Sequence, residues 1–150
     1  MCLLVFYIYT VLSGKGFSGS STDPYCGGTI INEVTILTSV HCFDDQADQF
    51  KIKSIQISAG ILHFKDAVWL GNEDYFISEN GQQQHVKIEK IELHSNSKFD
   101  AAIVKLVYPL TFNSYVKPAC LPEQYFQPGE TAIVSGWGQT NSESEGIGHT

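Results

Sequence analysis

Basic residues are scarce in this chain. Nine Lys and Arg stand against sixteen Asp and Glu among 150 residues, a formal net charge of −7. No run of Lys or Arg gathers charge enough to neutralise several phosphates, which excludes a nucleic-acid partner. The acids are scattered, as on a soluble, self-repelling surface. Also missing is an apolar stretch of the roughly twenty residues that a membrane-crossing helix needs, so no membrane partner is implied. Cys2 to Leu12, an apolar run, falls well short of it. Strong helical periodicity and internal repeats are absent. None of the four cysteines forms a C-x-x-C pair, which leaves zinc and thioredoxin-like readings without support. His63, His85, His94 and His149 show no i, i+4 pairing and read as scattered surface histidines. Asp66, Glu73, Asp74 and Glu79 match no EF-hand spacing and read as a solvated acidic loop. No metal or other cofactor is implied.

What remains is β-forming. Chain length suits one domain of ordinary size. β-branched and aromatic residues dominate the periodic stretches, and Gly, Pro and Asn separate them. Leu3 to Val11 reads as a strand, with a Gly/Ser-rich loop from Ser13 to Pro24. The same N-terminal run also fits a signal-peptide core, with Ser13 and Gly14 as small residues near a cleavage point; both readings stay open. Thr29 to Ile31 and Val34 to Ser39 form a hairpin turning at Asn32-Glu33, and the polar stretch Asp44 to Gln49 reads as a loop or short turn. Ile52 to Ala59 alternates as a partly amphipathic strand, Ile61 to Leu70 is a further strand, and Gly71 to Gln84 is a long polar surface loop. His85 to Leu93 alternates until the step from Ile88 to Ile91, where a bulge is expected. Ala101 to Val107 is almost continuously apolar and suits a buried strand. Trp69 reads as a packing or surface aromatic, and Trp137 as a structural residue of its strand. Many short strands with turn signals indicate an all-β barrel rather than a parallel sheet.

Two short segments carry chemistry. Thr38-Ser39-Val40-His41-Cys42 sets a histidine beside a cysteine, and Asp100 stands at the start of the apolar run Ala101 to Leu106. A lone His at a strand end, or a lone Asp at a strand start, is usually structural. The cysteines fall at 2, 26, 42 and 120, and four cysteines allow three pairings that sequence alone leaves open.

Four motifs in order change that reading. Cys26-Gly27-Gly28-Thr29-Ile30-Ile31, Leu37 to Cys42, Asp100 to Leu106 and Val134-Ser135-Gly136-Trp137-Gly138 together resemble the trypsin-like, chymotrypsin-fold serine proteases of peptidase family S1. Lys117-Pro118-Ala119-Cys120-Leu121-Pro122 is similar to the string at that family's inter-barrel crossing. The resemblance covers roughly Val5 to Thr140. It departs at Phe99, where the family commonly has Asn, and at Ser39-Val40, where Ala-Ala is common.

The resemblance implies an antiparallel Greek-key β-barrel: residues 1–110 as the first barrel, N-terminally incomplete; 111–130 as the inter-barrel connection; 131–150 as the start of a truncated second barrel. It implies His41 as general acid–base and Asp100 as its orienter, with a Cys26–Cys42 disulfide that holds the imidazole rigid and places the protein outside the cell. Cys120 would bridge to a segment missing from this chain, with Cys2 as the default partner within it. Protein or peptide substrates, and protease inhibitors, are the partners implied. The family's nucleophile string Gly-Asp-Ser-Gly-Gly occurs nowhere here, and Ser135 reads as structural. The oxyanion hole and the substrate-selecting pocket belong to the same missing segment. The function implied is a secreted serine endopeptidase working through an acyl-enzyme, inactive as this chain alone. The alternative is a non-catalytic protease homologue acting as a binding or regulatory module.

Overall fold

A computed structural model describes residues 10–14, 24–43, 55–63, 70–96, 98–122 and 127–131. Regular structure among them is β1 (Thr10–Gly14), β2 (Pro24–Asn32), β3 (Thr35–Thr38), β4 (Ile55–Ala59), β5 (Tyr75–Ile77), β6 (Gln84–Leu93) and β7 (Ala102–Leu106), with one 3-10 turn at Val40–Phe43. β1 pairs with β2, β2 with β3, β3 with β7, β7 with β6, β6 with β4, and β4 returns to β1, every pair antiparallel. Six strands therefore close on one another, and β5 lies outside the ring against β6. Closure satisfies backbone groups that an open sheet would leave at its edges. The all-β antiparallel barrel expected from the sequence is the architecture found.

Two long strands make closure possible. β2 pairs with β1 through Pro24 to Gly28 and with β3 through Thr29 to Asn32. β6 pairs with β4 through Gln84 to Lys87 and with β7 from Ile88 onward. The register shifts between Ile88 and Lys90, where the alternation breaks and a bulge was expected.

The barrel is filled by Ile30, Ile36, Ile55, Ile57, Val86, Ile88, Val104 and Leu106, all buried. After β7 the chain crosses one end of the barrel, sinking Leu110 and Val116 into the same core. Gln84 anchors that crossing through both ends of its amide: Nε2 donates to the Thr111 carbonyl at 2.7 Å, and Oε1 accepts from the Thr111 amide at 2.8 Å. Gly60 turns the chain after β4 with a φ of +72°, and a side chain there would run into the Gln82 carbonyl oxygen.

Several local expectations need correction. The first strand does not end at Val11; β1 continues to Gly14, so Ser13 and Gly14 lie in the sheet. The hairpin turn sits at Glu33–Val34, where Asn32 Oδ1 accepts from the Val34 amide at 3.1 Å. Residues 61–63 are not strand. The stretch 71–84 is not all loop: Tyr75-Phe76-Ile77, strong β-formers among acids, add β5 to β6.

β4 is not amphipathic either; all five of its residues are buried. Its polar side is covered, and it builds its own hydrogen bonds there. Gln56 Oε1 accepts from the Leu70 amide at 2.9 Å, and Ser58 Oγ meets His85 Nδ1 at 2.8 Å. His85 is thus no surface histidine; it is fully buried, and its Nε2 has no partner among the described residues. Residues 2–9, 44–49, 64–69 and 132–150, with Cys2, Asp66, Trp69, Ser135, Trp137 and His149, lie outside the described residues.

Two outcomes follow. Burial lowers the His85 pKa from 6.5 to about 4. Between those values the unfolded chain takes up a proton that the folded chain refuses, so stability is full above 6.5 and drains away toward 4. In denaturant melts the stability gap between wild type and His85→Gln should shrink across that window; a gap independent of pH would contradict the assignment. Gly60→Ala should destabilise by about 2 kcal/mol or more, combining a left-handed backbone with the overlap on Gln82.

Candidate active site

The site is built from two strand ends. Antiparallel pairing of β3 with β7 runs Thr35 with Lys105, Ile36 with Val104, Leu37 with Ile103 and Thr38 with Ala102. Beyond that last pair β3 continues into the 3-10 turn that carries His41, and β7 is preceded by Asp100. Ladder register therefore delivers two segments far apart in sequence to one end of the barrel.

The turn is tied to β2 at two points. Cys42 is disulfide-bonded to Cys26, with the Cα atoms 6.1 Å apart, and Thr38 Oγ1 donates to the Gly27 carbonyl at 2.8 Å. Cys42 and Phe43 are buried in the barrel core, so His41 sits on a turn pinned from below. On the other side the β6–β7 connection is narrow: the His94 amide donates to the Ala101 carbonyl at 3.0 Å. That bond holds Asp100 at the hairpin's end.

Asp100 grips His41 twice. Its Oδ1 accepts from the His41 backbone amide at 2.9 Å, and its Oδ2 lies 2.5 Å from His41 Nδ1. The first contact fixes the carboxylate relative to the turn, and the second fixes the ring. The hydrogen bond from the His41 ring, followed by that from its backbone amide, holds the Asp100 carboxyl below its usual range. An ionised carboxylate is acceptor only, so the shared proton belongs to Nδ1 and the neutral ring leaves Nε2 as a lone pair. Both side chains are exposed, at 63% and 53%. Water screens such a pair, so its value lies in aiming the ring rather than in binding energy. A general base needs this arrangement: one ring nitrogen held by a fixed acceptor, the other free to take a proton.

The remaining predicted residues fall elsewhere. Cys120 is disulfide-bonded, so the bridge expected to reach a missing segment is closed in this structure, its partner lying outside the described residues. Asp74 faces Lys87 at 3.6 Å, while Glu73 and Glu79 point to solvent. The one group of potential metal donors among the described residues is Cys26, His41 and Cys42. Its two sulfurs are bonded to each other, so neither is a thiolate ligand. Thr38 escaped the sequence reading as a functional support. Its signal was available in the Thr-x-x-His-Cys spacing, which places its hydroxyl one turn before Cys42.

Comparison with known proteins bears on the same residues. The family model described as Trypsin matches residues 13–147. Seminase of Drosophila melanogaster is 32% identical over 127 residues, covering 83% of this chain and 40% of that protein. Chymotrypsin-like elastase family member 1 of Homo sapiens is 30% identical over 138 residues, covering 85% and 46%. Serine proteinase stubble of Drosophila melanogaster is 36% identical over 124 residues, covering 82% and 15%. The chain thus spans less than half the length of these relatives.

Removing the Cys26–Cys42 bond tests the support beneath His41. The bond joins residues 16 apart. Its loss in a Cys26→Ser, Cys42→Ser double variant should cost about 3 kcal/mol in denaturant unfolding. An unchanged midpoint would show that the turn is held by packing alone.

Proposed function

Because this chain belongs to the trypsin family of serine proteases, we propose that it carries the acid–base half of a secreted endopeptidase. The observation that carries the reading is the two-point hold of Asp100 on His41. In this mechanism His41 Nε2 takes the proton of a serine hydroxyl as that oxygen attacks the scissile carbonyl. It then returns the proton to the leaving amine, and repeats the cycle with a water that attacks the acyl-enzyme, freeing the acid product and the serine. Asp100 keeps the proton on Nδ1 and stabilises the imidazolium that forms in each half-reaction.

The attacking serine and the oxyanion hole are supplied from outside these 150 residues, which contain no Gly-Asp-Ser-Gly-Gly string. On this reading residues 1–110 belong to the first barrel, 111–130 to the connection, and 131–150 to the start of the second. Without the attacking oxygen His41 and Asp100 form no covalent intermediate. The disulfide at Cys26–Cys42 supports an oxidising, extracellular setting, and peptide bonds of proteins are the substrate class. The same lack of a nucleophile string keeps a non-catalytic homologue, a binding or regulatory module, as the second reading.

A serine-reactive fluorophosphonate separates them. The 150-residue chain should take up no label and hydrolyse no peptide ester above buffer, whereas the longer protein should label stoichiometrically. In that longer protein Asp100→Asn should lower kcat by about 10⁴-fold, and His41→Ala by at least as much. Stoichiometric labelling of the short chain would overturn the division of labour. An unlabelled longer protein would favour the non-catalytic reading.

A further inference from the structure

The turn that presents Asp100 is braced by a histidine that the chemistry above does not use. His94 follows β6, and its backbone amide closes the hairpin by donating to the Ala101 carbonyl at 3.0 Å. Its ring is turned inward upon the turn itself. The Asn96 amide points at His94 Nδ1 from 3.0 Å. A backbone N–H only donates, so Nδ1 accepts from it; the Asn96 carbonyl lies farther from the same nitrogen, at 3.3 Å, and the shorter contact assigns the ring proton to Nε2. Asn96 passes the restraint on: its Oδ1 accepts from the Lys98 amide at 3.0 Å, and its carbonyl accepts from the Phe99 amide at 3.0 Å. Phe99 in turn lays its ring against that of His94, with centroids 4.9 Å apart. The next residue is Asp100.

We propose that His94 is a positioning residue: as a neutral ring accepting through Nδ1, it fixes the turn that aims Asp100 at His41. The two histidines hold opposite tautomers for linked reasons. At His41 a carboxylate claims Nδ1–H, while at His94 a backbone amide claims the bare Nδ1. Without the Nδ1 acceptor the Asn96 amide turns to water, and Asp100 samples orientations that release the His41 ring. His94 touches neither His41 nor any reacting atom; its effect passes through Asp100. The inference rests on the His41–Asp100 pair and not on the presence of a nucleophile, so it is testable in this chain.

The readout is the His41 Nδ1–H proton, followed by NMR in the chain labelled with ¹⁵N. Its exchange rate with water reports how much of the time Asp100 holds it. Asn carries Oδ1 where His carries Nδ1, whereas Phe keeps the ring and loses the acceptor. His94→Phe and His94→Ala should raise the exchange rate about five-fold, the population change that one ordinary hydrogen bond sustains. His94→Asn should restore the wild-type rate despite losing the ring contact with Phe99. Should His94→Phe lose its barrel amide signals, the comparison of Ala with Asn decides. Asp100→Asn serves as the control for the pair and should abolish the protected signal. If that control removes protection while His94→Phe and His94→Ala match wild type, the His94 inference is wrong and the pair stands. If the control changes nothing, the pair itself is wrong, and the inference falls with it.

Discussion

The register between β3 and β7 is the constraint on which the site depends. Ile36 pairs with Val104 across that ladder, and both are fully buried. A slip of one residue would turn one of them outward and drive its neighbours into the core, a change the barrel cannot absorb. Hydrophobic burial at one rung therefore fixes where the ladder ends, at Thr38 and Ala102. The two segments leaving that end meet without any long-range attraction between histidine and aspartate. Packing creates the meeting, and electrostatics only trims it.

Tethers finish the placement. The cystine and the Thr38 hydroxyl hold the His41 turn to β2 from one side, and the narrow 94–101 turn holds Asp100 from the other. The pair between them is exposed, so its screened attraction does little for stability, yet its directional bonds determine which ring nitrogen carries the proton. Stability resides in the barrel, and the proposed chemistry at its rim.

Much of this was legible in the sequence because it depends on local pattern. The Cys26-Gly27-Gly28 and His41-Cys42 motifs, the apolar run of β7 and the broken alternation at Ile88 each announce themselves within a few residues. What escaped depends on what lies on the far side of a strand. Gln56 and Ser58 look like the solvent face of an amphipathic strand, and His85 like a surface residue. They are buried because β4 and β6 pair there beneath the segment carrying Leu70. Polar residues satisfied by one another mimic polar residues satisfied by water, and no periodicity separates the two. Likewise β5 hides in an acidic stretch, since three residues are too few to set a period. The His41–Asp100 contact was foreseen through resemblance, whereas the Nδ1 acceptor at His94 has no sequence signature at all.

The tautomer of His41 tests the central claim most directly. In the intact chain, at a pH where the ring is neutral, long-range ¹H–¹⁵N correlation distinguishes Nδ1–H from Nε2–H by the two nitrogen shifts. A carboxylate fixed at Nδ1 by the β3–β7 register predicts the proton on Nδ1 and a bare Nε2. A His41 ring carrying its proton on Nε2 would contradict it, because Asp100 would then hold only the backbone amide and Nε2 could not act as the base.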